Sequence, residues 1–136
     1  IYGDGEQTRC FSYVDDCINC LEKMALDPNI VSEIINIGPD EGTITVKELA
    51  QLVATECKME TPAIHMPDRP REVKHASCSS DKARKLLNYE TKTDLQTAIK
   101  ETANYVRTKG PKPFDYTYPL EIVSDKTPKT WKDRIM

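Results

Sequence analysis

The sequence has 136 residues, enough for one small domain with a modest core, and its 38% hydrophobic and 30% charged residues are typical of a soluble globular protein. A formal net charge of −3 argues against a nucleic-acid-binding protein, which would carry a basic face. No apolar run approaches the roughly 18 residues that a membrane-spanning helix needs, so we expect no membrane partner.

The first part of the chain predicts short extended segments around one amphipathic helix. Ile1–Tyr2 is expected to end a strand, and the turn Gly3-Asp4-Gly5 follows it. Apolar residues then recur at helical spacing from Val14 to about Leu26, and Asp27-Pro28-Asn29 ends this helix. The run Ile34–Ile37 predicts a short buried strand.

The middle of the chain predicts two more helices and one more strand. Thr45 and Glu48 stand three positions apart before an apolar stripe, which is the pattern of a capping box at a helix start. Ala63–Met66 is predicted to be a strand. Ser79 or Ser80 is predicted to begin a short helix.

The last predicted helix leads into a tail of different composition. Thr93 and Gln96 predict a second capping box, and the helix behind it runs to about Lys109, where Gly110-Pro111 ends it. The tail, residues 111–136, is rich in proline and aromatic residues, and we expect it to be ordered against another part of the protein. These elements predict a mixed α/β domain, which alone names no function.

The amino-terminal block carries a more specific signal. Residues 1–16 read IYGDGEQTRCFSYVDD, which closely resembles the YGDGxQxRDFxYVDD segment of extended short-chain dehydrogenases. Later landmarks follow in the order that this family shows: Ile35-Asn36-Ile37-Gly38, Thr45-Val46-Lys47-Glu48-Leu49-Ala50, Asp68-Arg69-Pro70, Asp81-Lys82-Ala83 and Leu86-Leu87. The resemblance covers about residues 1–109 and is to the carboxy-terminal, substrate-binding part of NAD-dependent nucleotide-sugar epimerases and dehydratases. The tail is similar to an extension of some bacterial members.

This resemblance implies an α/β lobe of helices with short strands, in which residues 1–110 bind substrate and residues 111–136 form an extension. In complete enzymes of the family, a Rossmann lobe holds NAD(P) on a glycine-rich turn and carries a catalytic Tyr-x-x-x-Lys pair. We find no glycine-rich turn and expect the Tyr/Lys pair to be missing as well. The chain is therefore expected to be a fragment without the Rossmann lobe, inactive alone and unable to bind the NAD(P) cofactor.

The resemblance also assigns five substrate-binding residues and no catalytic, cofactor-binding or metal-binding ones. Arg9 and Arg69 match family arginines that reach the nucleotide diphosphate, which suits the planar, permanently charged guanidinium. Glu72 matches an acidic residue that faces the ribose, Tyr2 an aromatic residue near the base, and Thr43 a loop position near the base or ribose.

Three of the five assignments have a structural alternative. Arg9 could pair with Asp15 or Asp16, and Arg69 with its neighbour Asp68. Tyr2 could simply be a core residue. The sequence also departs from the family pattern twice, because Arg71 replaces the usual glycine before Glu72, and Cys10 replaces the usual aspartate after Arg9.

The five cysteines do not suggest a disulfide framework, since their number is odd and no export signal is evident. Cys17 and Cys20 lie one helical turn apart, but a zinc site would need two further ligands. We expect them to be small core residues and the protein to be a reduced, cytoplasmic one.

The main functional hypothesis is the nucleotide-sugar-binding portion of an NAD(P)-dependent epimerase, dehydratase or decarboxylase, an isomerase or lyase acting on a UDP- or dTDP-sugar. The alternatives are a stand-alone, non-catalytic module that binds a sugar nucleotide or a partner chain, and a purely structural or oligomerisation domain. Apolar faces that would lie against the missing Rossmann lobe lead us to expect a homo-oligomer.

Overall fold

The structure, a computed structural model, describes residues 1–113 and 123–134. It is an α/β arrangement in which helices dominate, with these elements in chain order: β1 (Thr8–Arg9), α1 (Val14–Leu26), β2 (Ile44–Thr45), α2 (Val46–Glu56), α3 (Asp81–Leu87), α4 (Leu95–Lys109) and α5 (Lys129–Lys132). Strands β1 and β2 pair antiparallel, with Thr8 opposite Thr45 and Arg9 opposite Ile44. In the described part of the chain, none of the helices is both long and apolar enough to cross a bilayer.

Helix α2 begins as its sequence predicts. The Thr45 hydroxyl accepts a hydrogen bond from the Glu48 backbone N–H, and the Glu48 carboxylate accepts one from the Thr45 backbone N–H at 2.9 Å. This confirms the capping box, which satisfies two backbone donors that a helix start otherwise leaves free. The boundaries of α1 and α4 also agree with the apolar periodicity and the glycine that follows Lys109.

The second predicted capping box is wrong, because Asp94 rather than Thr93 begins α4. The Asp94 carboxylate accepts a hydrogen bond from the Thr97 backbone N–H at 2.9 Å. Thr93 is occupied elsewhere, since its backbone N–H and its hydroxyl both donate to the Asp16 carboxylate. Asp16 thereby joins the start of α1 to the loop before α4.

The predicted strands are largely wrong. The segment Ile34–Ile37 is not a strand, and Ile34 is 88% exposed. The segments Ile1–Tyr2 and Ala63–Met66 contribute one isolated parallel bridge, between Tyr2 and Met66. A strand requires a neighbour that accepts its backbone hydrogen bonds, and within the described residues the 34–37 segment has none.

The hydrophobic core is small and lies between α1 and α3. Its buried apolar residues are Cys20, Ala83, Leu87 and Tyr89. Partly buried residues surround them: Met24, Ile30, Ile35, Ile37 and Leu86. Of the two cysteines predicted to be core residues, Cys20 is buried and Cys17 only partly buried. Burial raises the pKa of the Cys20 thiol.

One face of α1 carries an exposed apolar stripe. Val14, Ile18 and Leu21 follow one another at spacings of four and three residues, so they share a face of the helix, and each is about half exposed or more. Such a face is typical of a surface that another chain or lobe covers. Self-association of this chain stays a prediction.

An ionic cluster fastens the loop after residue 38 to α3. Arg84 Nη1 donates to Asp40 at 3.1 Å, Arg84 Nη2 contacts Asp40 and also lies 3.0 Å from Glu41, and the Ser80 backbone N–H donates to Asp40 at 2.8 Å. The Ser80 hydroxyl donates to the Gly38 carbonyl. The Arg84 guanidinium and the Ser80 N–H hold the pKa of Asp40 well below its usual range.

This cluster predicts a loss of stability in acid. Because the pKa of Asp40 is lowered by folding, its contribution is present above the unfolded-state pKa of about 3.9 and is lost as the pH falls below it. Asp40→Asn should melt a few degrees below the wild-type chain at pH 7, and the gap should begin to narrow only as the pH falls below about 4, because the contribution of Asp40 is lost between its unfolded-state pKa and its lower folded-state pKa. Thermal unfolding across this pH range measures it, with Glu22→Gln on the exposed side of α1 as the control. A gap that does not change with pH would contradict the prediction.

Candidate functional site

The candidate site begins where the amino-terminal segment runs beside the loop at residues 67–70. The Met66 backbone N–H donates to Ile1 O at 2.7 Å, and the Gly3 N–H donates to Met66 O at 2.8 Å. Gly3 has φ of 67°, and a Cβ atom at this position would collide with Asp68 Oδ1. Glycine therefore suits this position, where the amino-terminal segment approaches the loop that carries Arg69.

Arg69 stacks on the ring of Tyr2. The guanidinium carbon lies 3.9 Å from the ring centroid, which is a cation–π contact. Within residues 1–113 and 123–134, no carboxylate forms a salt bridge with Arg69, so the predicted alternative pairing with Asp68 is not formed. The arginine is oriented by an aromatic face and keeps its hydrogen-bond donors for another anion.

A tight turn places Glu72 next to this pair. The Glu72 backbone N–H points to Arg69 O at 3.4 Å, Pro70 occupies the second turn position, and Arg71 has φ of 61° in the third. Proline followed by a residue with positive φ is the signature of a type II turn, which favours glycine at that third position. The backbone thus keeps the conformation that glycine usually provides, although Arg71 occupies it.

Arg9 lies behind the turn rather than in front of it. Its Nη1 donates to Thr8 O at 2.7 Å and to Lys74 O at 3.3 Å, and its Nη2 lies 3.6 Å from Glu72 Oε1. Within the described residues, Arg9 forms no salt bridge with Asp15 or Asp16, the alternative partners that the sequence suggests. In this structure Arg9 positions Glu72 and the strand-like segment that follows it.

These residues surround a charged cavity of about 350 Å³. It is lined by Tyr2, Asp4, Gln7, Asp68, Arg69, Arg71, Glu72 and Lys74. Three of the five predicted substrate-binding residues therefore share one cavity, and Arg9 reaches it only through Glu72. Thr43 is exposed beside Ile44, the residue opposite Arg9 in the sheet, and does not line the cavity.

Five lining residues of this cavity were not among the predicted site residues: Asp4, Gln7, Asp68, Arg71 and Lys74. Gln7 is a buried polar residue whose side-chain amide donates to Tyr2 O at 3.1 Å, so it fixes the backbone that carries the stacked ring. Arg71 and Lys74 add positive charge to the lining. Gln7 lies within residues 1–16, the block that carries the family resemblance, and this position is the sequence feature that could have identified it.

A second cleft is less suited to a nucleotide. It has a volume of about 420 Å³ between α2 and α4, and its lining is mostly apolar, with Phe11, Leu49, Val53, Ile99 and Val106 among the residues that form it. A nucleotide site needs several convergent polar groups to fix the phosphates and ribose. The smaller, charged cavity is therefore the better candidate.

A Tyr-x-x-x-Lys spacing does occur in the chain, contrary to the sequence-based expectation. Tyr105 and Lys109 lie in the last turn of α4, where the lysine nitrogen is 5.7 Å from the centroid of the tyrosine ring. Tyr105 is 64% exposed, and neither residue lines the charged cavity. The geometry is that of a surface cation–π pair, and it supplies no reason to assign a catalytic role.

The cysteines and histidines form no obvious metal centre in the part of the chain that the structure describes. Cys20 belongs to the core, and all five cysteines are free thiols. His65 Nδ1 lies 2.7 Å from Gly3 O, and His75 Nδ1 lies 2.9 Å from the Thr8 hydroxyl. The two histidines thus join the amino-terminal segment to the segment at residues 64–76.

No known protein-family profile matches the chain. Individual proteins do: UDP-N-acetyl-alpha-D-glucosaminuronate decarboxylase of Bacillus cytotoxicus is 27% identical over 113 residues, covering 79% of this chain and 35% of the relative. UDP-glucuronate 4-epimerase of Thermodesulfobacterium geofontis is 32% identical over 109 residues, covering 77% of this chain and 32% of the relative.

The fold is also similar to that of a solved nucleotide-sugar enzyme. UDP-glucuronic acid 4-epimerase from Bacillus cereus, in complex with UDP-glucuronic acid and NAD, superposes with a TM-score of 0.71 and 27% identity. The superposition covers 81% of this chain and 35% of the epimerase chain. This chain therefore spans about a third of the length of the proteins that it matches.

Proposed function

Because this chain is related in sequence and fold to the nucleotide-sugar epimerases and decarboxylases of the extended short-chain dehydrogenase family, we propose that it is the substrate-binding region of such an enzyme. In the whole enzyme, bound NAD(P)⁺ would supply reversible hydride transfer at a sugar carbon. This region holds the nucleotide and orients the sugar, which contributes positioning rather than chemistry.

The observation that carries this proposal is the stacked Arg69. It lies at a cavity of suitable size with its guanidinium free of any carboxylate among the described residues, and the Tyr2 ring fixes its plane. A planar fork with two parallel donors matches the oxygens of a diphosphate.

The remaining assignments follow from the same geometry. Glu72 lines the cavity and accepts from ribose hydroxyls, while Arg9, whose Nη2 lies 3.6 Å from Glu72 Oε1, orients the carboxylate. Tyr2 offers its ring edge near the base. Thr43 stands outside the cavity and contributes only if the bound nucleotide extends past β2.

A stand-alone binding module without catalysis is the second candidate. The number of exposed apolar residues on α1 supports a region that is covered in a larger assembly, but it does not separate a missing lobe from a partner chain. The sequence that precedes Ile1 in the gene distinguishes these possibilities. A glycine-rich βαβ unit there supports the enzyme, and its absence supports the module.

We expect the 136-residue chain to bind UDP at least about ten-fold more tightly than uridine, since one charge-assisted contact to phosphate contributes about 1.5–3 kcal/mol. It should bind no NAD⁺ and convert no UDP-sugar. Calorimetric titration with UDP, uridine and NAD⁺ measures the first two expectations, and a turnover assay the third. Equal affinity for UDP and uridine would show that the site does not bind the diphosphate. Turnover of a UDP-sugar by the pure chain would contradict the assignment as a binding region.

A further inference from the structure

The carboxy-terminal tail returns to the candidate site. The Tyr2 hydroxyl is hydrogen bonded to the Thr130 hydroxyl, a contact between residues 128 positions apart. Thr130 lies in α5, which follows a turn closed by a hydrogen bond from the Thr127 N–H to Ser124 O at 3.2 Å. Residues 123–134 lie beyond residues 1–109, the range over which the sequence resembles the substrate-binding part of the family.

A second cavity lies between the tail and the candidate site. A cavity of about 400 Å³ separates the loop at residues 67–70 from the tail, and its lining includes Tyr2, Arg69, Asp125, Lys129, Lys132 and Asp133. Tyr2 and Arg69 also line the first cavity, so the two spaces meet at the stacked pair. Volumes of this size fall within the range of small-molecule sites.

The charges of the tail differ in how they are used. Lys129 forms an ion pair with Asp133 one turn later, which neutralises both groups. Lys132 lines the cavity and, in residues 1–113 and 123–134, forms no ion pair. Its ammonium group therefore lines the cavity without an ion-pair partner among the described residues, as does the Arg69 guanidinium of the loop at residues 67–70. Asp68, Asp125 and Asp133 also line this space, so its charge is mixed and an anion would lie nearest to Arg69 and Lys132.

We propose that residues 125–133 form the second wall of the nucleotide site and that Lys132 is a further phosphate-binding residue, opposite Arg69. This rests on the proposed function, because the ligand is the diphosphate of the same nucleotide. The Tyr2–Thr130 hydrogen bond sets the width of the cavity, and the two cations approach the diphosphate from opposite sides. Arg69 supplies a planar fork, and Lys132 supplies a compact charge that tolerates either phosphate.

The test is titration of UDP and of inorganic pyrophosphate into the full chain carrying Lys132→Gln. We expect UDP affinity to fall about ten-fold and pyrophosphate affinity to fall similarly, because both ligands lose the same contact. Lys132→Arg should recover most of the loss. The matched control is Lys126→Gln, which removes the same charge from an exposed tail position outside the cavity. Melting temperatures should be the same for the two glutamine variants.

The outcomes separate this inference from the function on which it rests. If Arg69→Ala weakens UDP binding and Lys132→Gln does not, the nucleotide site stands and the tail wall is wrong. Equal losses of UDP affinity in Lys132→Gln and Lys126→Gln would show that only the net charge of the chain matters, and this would overturn the inference. If neither Arg69→Ala nor Lys132→Gln changes UDP affinity, the proposed function itself fails, and the role of Lys132 fails with it.

Discussion

Arg69→Ala should weaken the binding of UDP about ten- to a hundred-fold. The substitution removes charge-assisted hydrogen bonds to the diphosphate, which contribute about 1.5–3 kcal/mol each. It also leaves the Tyr2 ring without the cation that lies 3.9 Å from its centroid. Calorimetric titration measures the change, and Arg107→Ala is the control, since that arginine pairs with Glu56 on α2 and does not line the charged cavity.

Two further variants identify how the guanidinium acts. Arg69→Lys should restore only part of the affinity, because an ammonium group cannot reproduce the planar fork. Arg9→Ala should act through Glu72, which it contacts at 3.6 Å, so its effect and that of Arg69→Ala should not add in the double variant. Unchanged UDP affinity in both single variants would end the assignment of this cavity to substrate.

Leu87→Ala should cost about 2–5 kcal/mol of unfolding free energy, since it removes the largest aliphatic side chain of the buried core and leaves a cavity. Small domains are stable by only about 5–15 kcal/mol, so this variant should be close to unfolding. Urea denaturation of both proteins measures the difference. Leu26→Ala makes the same chemical change at a leucine that is 74% exposed, and it should change stability by less than about 0.5 kcal/mol. Similar losses in the two variants would show that the core is not where the structure places it.

Helices could be predicted from the sequence because their signals are local. The apolar spacing in α1, the Thr45–Glu48 box of α2 and the glycine after α4 each lie within a few residues of the element that they define. The strands could not, because pairing partners lie far apart along the chain. Strand β1 pairs with residues near position 45, and nothing in Thr8–Arg9 indicates this partner.

The candidate site could be predicted in part for the same reason. Resemblance to a known motif brings Arg69 and Glu72 into one short loop, and they do share a cavity. It does not show that Arg9 contacts the back of Glu72, since that depends on the path of the backbone between β1 and residue 74. The contact of the tail with Tyr2 follows from no local pattern at all.

The hydrogen bond between Tyr2 and Thr130 also bears on the order in which the protein assembles. It joins residues 128 positions apart, whereas the contacts inside α2 or α4 join neighbours within one or two turns. The entropic cost of closing a loop rises with its length. We therefore expect the local helices to form before this contact, which requires nearly the whole chain to be ordered. The wall at residues 125–133 is therefore expected to be the last part of the site to form during folding, and the first to detach when the protein is warmed.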